Sequence, residues 1–105
     1  MRKINHIGIL TNESQEGENY IESLKVWITD FNKSENRIEY LRFEEGSTMP
    51  KIIQEKSHIA YEVESLEDAL KGKNVIVPPF EAGENLICAF IEEEGIAIEL
   101  MEFEK

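Results

Sequence analysis

Two histidines and two glutamates stand in repeated surroundings. His6 lies in "NHIGIL" (5–10) and His58 in "KSHIAYEVE" (56–64). They are the only histidines of the chain, and each is followed by Ile and then by a small residue, Gly8 or Ala60. Glu39 lies in "IEYLRFE" (38–44) and Glu99 in "IELMEFE" (98–104), which share Ile, Glu, Phe and Glu at four of seven aligned positions. Imidazole nitrogens and carboxylate oxygens are donors for a divalent transition metal, and a carboxylate is also a general base. No short ligand motif such as HExxH ties the four together, so only the fold can make them meet.

The elements that must position them repeat as well. "INHIGILT" (4–11) reads as a strand, "GENYIESLK" (17–25) as a short helix, "KVWITDF" (25–31) and "RIEYLRFE" (37–44) as strands. "EGSTMPKIIQEK" (45–56) is a connection with one helical turn that buries Ile52 and Ile53. "SHIAYEVE" (57–64) is a strand. "SLEDALKGK" (65–73) is a helix capped by Ser65 and ended by Gly72. "NVIVPPF" (74–80) is a strand stopped by two prolines, and the rest forms a hairpin turning near Gly95. The predicted order is strand, helix, strand, strand, then strand, helix, strand, strand, strand. His6 precedes Glu39 by 33 residues and His58 precedes Glu99 by 41; the shortfall of eight matches one strand missing from the first half.

Strand alternation puts His6 with Gly8 and Leu10, His58 with Ala60, Glu39 with Leu41 and Phe43, and Glu99 with Ala97 and Met101. Each polar group thus shares a small or apolar face, where a lone carboxylate is costly without a partner or a cation. The bland interpretation is two structural His–Glu pairs. The joint one is a pseudo-two-fold that brings two imidazoles and two carboxylates to one divalent metal. By the same alternation Tyr61 faces the helices and Glu62 shares the His58 face, at the pocket or its rim. Cys88 reads as a small core residue, Trp27, Tyr20 and Phe31 as core or cavity wall, and "PPFEAGEN" (78–85) as a loop that can form a lip.

Composition narrows the partners. The 105 residues suit one domain and carry a net charge of −11, which disfavours nucleic acid. No apolar run approaches the ~18 residues of a membrane helix. Met1-Arg2-Lys3 is basic, but Asn5, His6 and Gly8 interrupt a leader-like stretch. The single cysteine cannot form an internal disulfide, so the expected compartment is the cytoplasm.

Paired halves, "HIG" opening the first, "HIAYEVESLEDAL" opening the second and "IEL" on the last strand resemble the vicinal-oxygen-chelate superfamily. This superfamily includes glyoxalase I, methylmalonyl-CoA epimerase, extradiol dioxygenases and the fosfomycin and bleomycin resistance proteins. The resemblance spans nearly the whole chain, and "HIAYEVESLEDAL" is its most specific stretch. It implies an α+β fold of two βαβββ-type modules, the first shortened, whose curved mixed sheet surrounds a metal-centred pocket. The modules would span about 4–44 and 57–104, joined by 45–56. It implies one ligand from the first and last strand of each half: His6, Glu39, His58 and Glu99. The His, Glu, His, Glu order resembles bacterial glyoxalase I, so nickel, cobalt or zinc is the expected ion. Glu44 or Glu45 is the competitor for the place of Glu39. The implied activity is that of a metal-dependent isomerase or lyase, moving a proton next to a carbonyl through a metal-stabilised enolate or enediolate, with Glu99 or Glu39 as base. The alternative is a resistance-type protein that sequesters a small molecule without chemistry; iron-dependent ring cleavage fits less well with four ligands. A homodimer and a small-molecule substrate are the expected partners. No basic cluster suited to the carboxylates of glutathione is apparent; Arg37, Arg42 and the lysines of 51–56 are the nearest in sequence.

Overall fold

The computed structural model describes residues 1–104. Its strands are β1 (Lys3–Leu10), β2 (Asn19–Ile21), β3 (Val26–Ile28), β4 (Ile38–Phe43), β5 (His58–Glu62), β6 (Val75–Gly83), β7 (Leu86–Glu93) and β8 (Ile96–Phe103). Helices α1 (Lys51–Glu55) and α2 (Leu66–Leu70) are both short. The eight strands form one curled mixed sheet in the order β2-β3-β4-β1-β5-β8-β7-β6.

The halves are topological copies. In the first, β1 pairs parallel with β4, which pairs antiparallel with β3, and β3 with β2. In the second, β5 pairs parallel with β8, β8 antiparallel with β7, and β7 with β6. The seam between them is the antiparallel β1–β5 pair, where His6 faces Ala60, Ile7 faces Ile59 and Gly8 faces His58. The pseudo-two-fold therefore passes through the Ile7–Ile59 pair. Register carries the glutamates along: Gly8 faces Glu39 and Ala60 faces Glu99.

The first half is shortened in a different way from the sequence expectation. It keeps all four strands and, among the described residues, has no counterpart of α2; β2 and β3 are three residues each, against nine and eight for β6 and β7. The segment expected as helix 17–25 is instead strand β2 and the turn into β3. Nine residues beginning at a glycine cannot repay helix nucleation without a packed face, whereas the hairpin sets Tyr20 on Trp27, ring centroids 4.7 Å apart, and lets Glu44 accept from Tyr20 Oη and Trp27 Nε1 at 2.8 and 3.1 Å. The 11–18 loop is pinned to β4 by Arg42 through contacts to Ser14 and Glu18.

Nor do the prolines stop β6. Pro78 and Pro79 sit in an irregularity between the Val77–Phe90 and Phe80–Cys88 pairs, on a strand at the sheet edge. An edge strand with a bulge is where a residue lacking an N–H is tolerated. The "PPFEAGEN" segment is accordingly strand and tight turn rather than a loop. As expected, α2 is capped by Ser65, whose Oγ accepts from the Asp68 amide at 3.2 Å; α1 buries Ile53, while Ile52 is only partly buried. Leu66 of α2 packs with Ala89, Ile91, Ile98 and Leu100 on the outer face of β7 and β8. The inner face keeps Ala60, Cys88 and Met101, and Ile53 with Phe90 and Ala97. No described helix is long and apolar enough to cross a membrane.

Candidate functional site

The fold brings all four singled-out residues to one place on the inner face. His58 Nε2 lies 3.2 Å from Glu99 Oε1 and 4.0 Å from Glu39 Oε1; His6 Nε2 lies 3.5 and 3.8 Å from the same atoms. Both imidazoles are 2% exposed and both carboxylates 13%. Glu39 occupies this position, while its competitor Glu44 is held by Tyr20 and Trp27.

The repeated "His-Ile-small" pattern now has a mechanical explanation. Each histidine lies across the seam from the other copy's small residue. A Cβ on Gly8 would come within 2.2 Å of Cε1, 2.5 Å of Nδ1 and 2.7 Å of Nε2 of His58, so the ring occupies the space that a side chain at residue 8 would fill. The perpendicular rings of His6 and His58 have centroids 5.9 Å apart.

Neither Nε2 has a hydrogen-bond partner, although both are buried. The carboxylate oxygens are near, but not in hydrogen-bonding directions. Buried polar atoms left unpaired are uncommon and call for an explanation. A cation supplies one. The ligand atoms of His6, Glu39 and His58 lie within 4.8 Å of one another, and Glu99 reaches both imidazoles. Bonds of about 2.0–2.2 Å to a shared ion place neighbouring donors roughly 3 Å apart, close to the 3.2–4.0 Å separations found. The residues therefore fit a divalent metal.

The electrostatics without a metal are asymmetric. Burial raises the Glu39 carboxyl to about 7, with the Glu99 charge adding to the rise and the imidazoles of His6 and His58 opposing it. Burial also pushes Glu99 upward, but the close approach and charge of the two imidazoles outweigh it and hold the carboxyl at about 2. Two carboxylates beside one another resist ionising together. Burial, helped by the Glu99 charge, drives the Cys88 thiol well up, which suits an inert core residue.

Aromatic rings flank the donors. Phe31 stacks on His6 at 4.2 Å with a 10° tilt, Phe90 meets His58 edge-on at 5.7 Å, and Phe80 stacks on Phe90 at 6.2 Å. Arg37 lies over Phe31 at 4.9 Å and donates from Nε to the Asn5 carbonyl. Sequence reasoning missed Asn5. It is the extra residue of an irregularity between the Ile4–Tyr61 and His6–Ala60 pairs, which turns it toward its neighbour His6. Alternation alone would send the two side chains to opposite faces, and no residue type marks such a bulge. A cavity of about 600 Å³ beside α2, lined in part by Arg2, Ser65, Asp68, Lys73 and Glu93, contains none of the four donors.

The curled mixed sheet built from two paired halves is a glyoxalase-like α+β fold. Among solved structures, the chain is similar to a hypothetical protein from Bacillus halodurans C-125, with a TM-score of 0.73 and 24% identity over 99% of this chain and 96% of that one. It is also similar to methylmalonyl-CoA epimerase from Mycobacterium tuberculosis, with a TM-score of 0.64 and 15% identity over 97% of this chain and 88% of that one. No family model and no curated protein matches the sequence.

Proposed function

We propose that the chain is a metal-dependent isomerase or lyase of the glyoxalase/epimerase type. The observation that carries this reading is the pair of buried, unpartnered Nε2 atoms of His6 and His58 facing the carboxylates of Glu39 and Glu99. His6, Glu39, His58 and Glu99 would hold a divalent ion; nickel, cobalt and zinc suit this nitrogen–oxygen set. Bound there, the metal would polarise a substrate carbonyl as a Lewis acid and make the adjacent C–H more acidic. The chain's own part is to hold the donors on rigid strands, to limit water with Phe31 and Phe90, and to accept the proton on Glu99 or Glu39. The protein would act in the cytoplasm as a homodimer on a small molecule, its net charge of −11 turning away nucleic acid.

Metal content after purification without chelator or His tag tests the first half of the reading. Exchange of the α-proton of a 2-hydroxy- or 2-oxo-acyl thioester with deuterium tests the second, with EDTA stopping it. The aromatic walls Phe31, Phe80 and Phe90 favour one other reading, a resistance-type protein that retains an apolar ligand. Full metal occupancy with no exchange across a broad thioester panel would select that reading instead.

A further inference from the structure

The two histidines are related by the pseudo-two-fold but are not held alike. His6 Nδ1 lies 2.7 Å from Asn5 Oδ1 in a buried contact, and Asn5 Nδ2 lies 2.9 Å from Glu62 Oε2. In the second half Ser57 precedes His58, and its Oγ accepts from the Leu10 amide, leaving no counterpart of this chain. Asn5 itself is 4% exposed, and its carbonyl is held by Arg37 at 2.8 Å.

The chain has a direction. A carboxylate only accepts, so the end of the Asn5 amide facing Glu62 must be the NH₂ group. The oxygen then faces His6, and an oxygen can only accept from Nδ1–H. Neutral imidazole carries one proton; with it on Nδ1, Nε2 presents its lone pair to Glu39, Glu99 and His58. We infer that Glu62 and Asn5 are positioning residues that fix the tautomer of His6, so that a carboxylate outside the cluster determines whether His6 can ligate. This rests on the metal reading above, in which the lone pair serves a cation.

The tautomer itself can be read without metal. Long-range proton–nitrogen NMR on ¹⁵N-histidine-labelled, metal-free protein at mildly alkaline pH should show His6 as the Nδ1–H form, with the His58 resonances as an internal reference. Glu62→Gln lets the Asn5 amide turn over, since Gln can donate as well as accept. His6 should then shift toward the Nε2–H form, and cobalt(II) affinity should fall on the order of 10–100-fold, as for loss of an outer-shell partner. The double variant Asn5→Asp/Glu62→Gln restores the direction, because Asp accepts from both neighbours; it should recover the Nδ1–H form and most of the affinity. A merely structural role for Glu62 would move neither the tautomer nor its rescue. An Nε2–H His6 in the unmodified protein, or an unchanged tautomer in Glu62→Gln, overturns the inference. Failure of the metal reading is distinct: cobalt would not bind although His6 keeps the Nδ1–H form.

Discussion

Gly8→Ala probes the packing on which the site depends. The added methyl would sit 2.2 Å from Cε1 of His58, whereas carbon atoms rest about 3.5–4.0 Å apart. The ring would have to retreat by more than about 1 Å, yet it is 2% exposed and has Phe90 at its edge. Overfilling such a space costs roughly 1–3 kcal/mol. Replacing glycine in a strand returns only about 0.5–1 kcal/mol of backbone entropy. If the ring is displaced but remains packed in the core, unfolding of the metal-free protein in urea should show a net loss on the order of 1–2 kcal/mol. If it swings aside instead, stability is spared and His58 leaves the cluster. In both cases the donor geometry changes, and cobalt(II) titration should show affinity lowered by at least about ten-fold. The reciprocal change, Ala60→Gly, introduces no clash. It should cost about 1 kcal/mol through backbone freedom and a small void, with cobalt affinity retained. Wild-type stability together with wild-type cobalt affinity in Gly8→Ala would refute the proposed fit of the His58 ring over residue 8.

Other outcomes follow from the same geometry. In deuterium exchange, Glu99→Gln should slow turnover by about 10²–10⁴-fold while keeping most of the metal, and full retained exchange would transfer the role of base to Glu39. Glu39 also sets a pH dependence in the metal-free protein. Its folded value of about 7 lies above the ordinary 4.5, so the folded state holds the proton more tightly, and stability falls as pH rises from about 4.5 through 7. The loss is on the order of 1–3 kcal/mol. Thermal unfolding of Glu39→Gln should lack that slope, and an unchanged slope would show that another group causes it. Sedimentation should give twice the 12.1 kDa monomer mass at micromolar concentration. The unpaired edge of β6 and the exposed Val75, Phe80 and Phe103 favour pairing, and a monomer alone would count against it.

The repeat was legible because its residues answer to one another. His6 and His58 stand opposite Ala60 and Gly8, and Glu39 and Glu99 follow from the parallel pairs with β1 and β5. A duplicated constraint leaves a duplicated phrase. Tyr20, Ile21 and Leu24 misled because a helical spacing over so few residues is also compatible with a hairpin, and long-range pairing to Trp27 and β4 decided between them. Pro78 and Pro79 read as a stop because nothing local shows that β6 lies at an edge. The eight-residue shortfall does mark a deletion, but the first half keeps its four strands. Length alone does not tell a lost helix and a trimmed hairpin from a lost strand. Asn5 was illegible for a different reason: its approach to His6 depends on a bulge in the pairing of β1 with β5.

The crossing of the His58 ring over residue 8 of the other half has an evolutionary consequence. Position 8 can enlarge only if position 58 gives way. Related sequences of this fold should therefore covary at 8 with 58, a trace that joins the two copies across the seam. The duplicated halves cannot drift apart freely at these positions, because a change in one is felt as a steric fault in its twin.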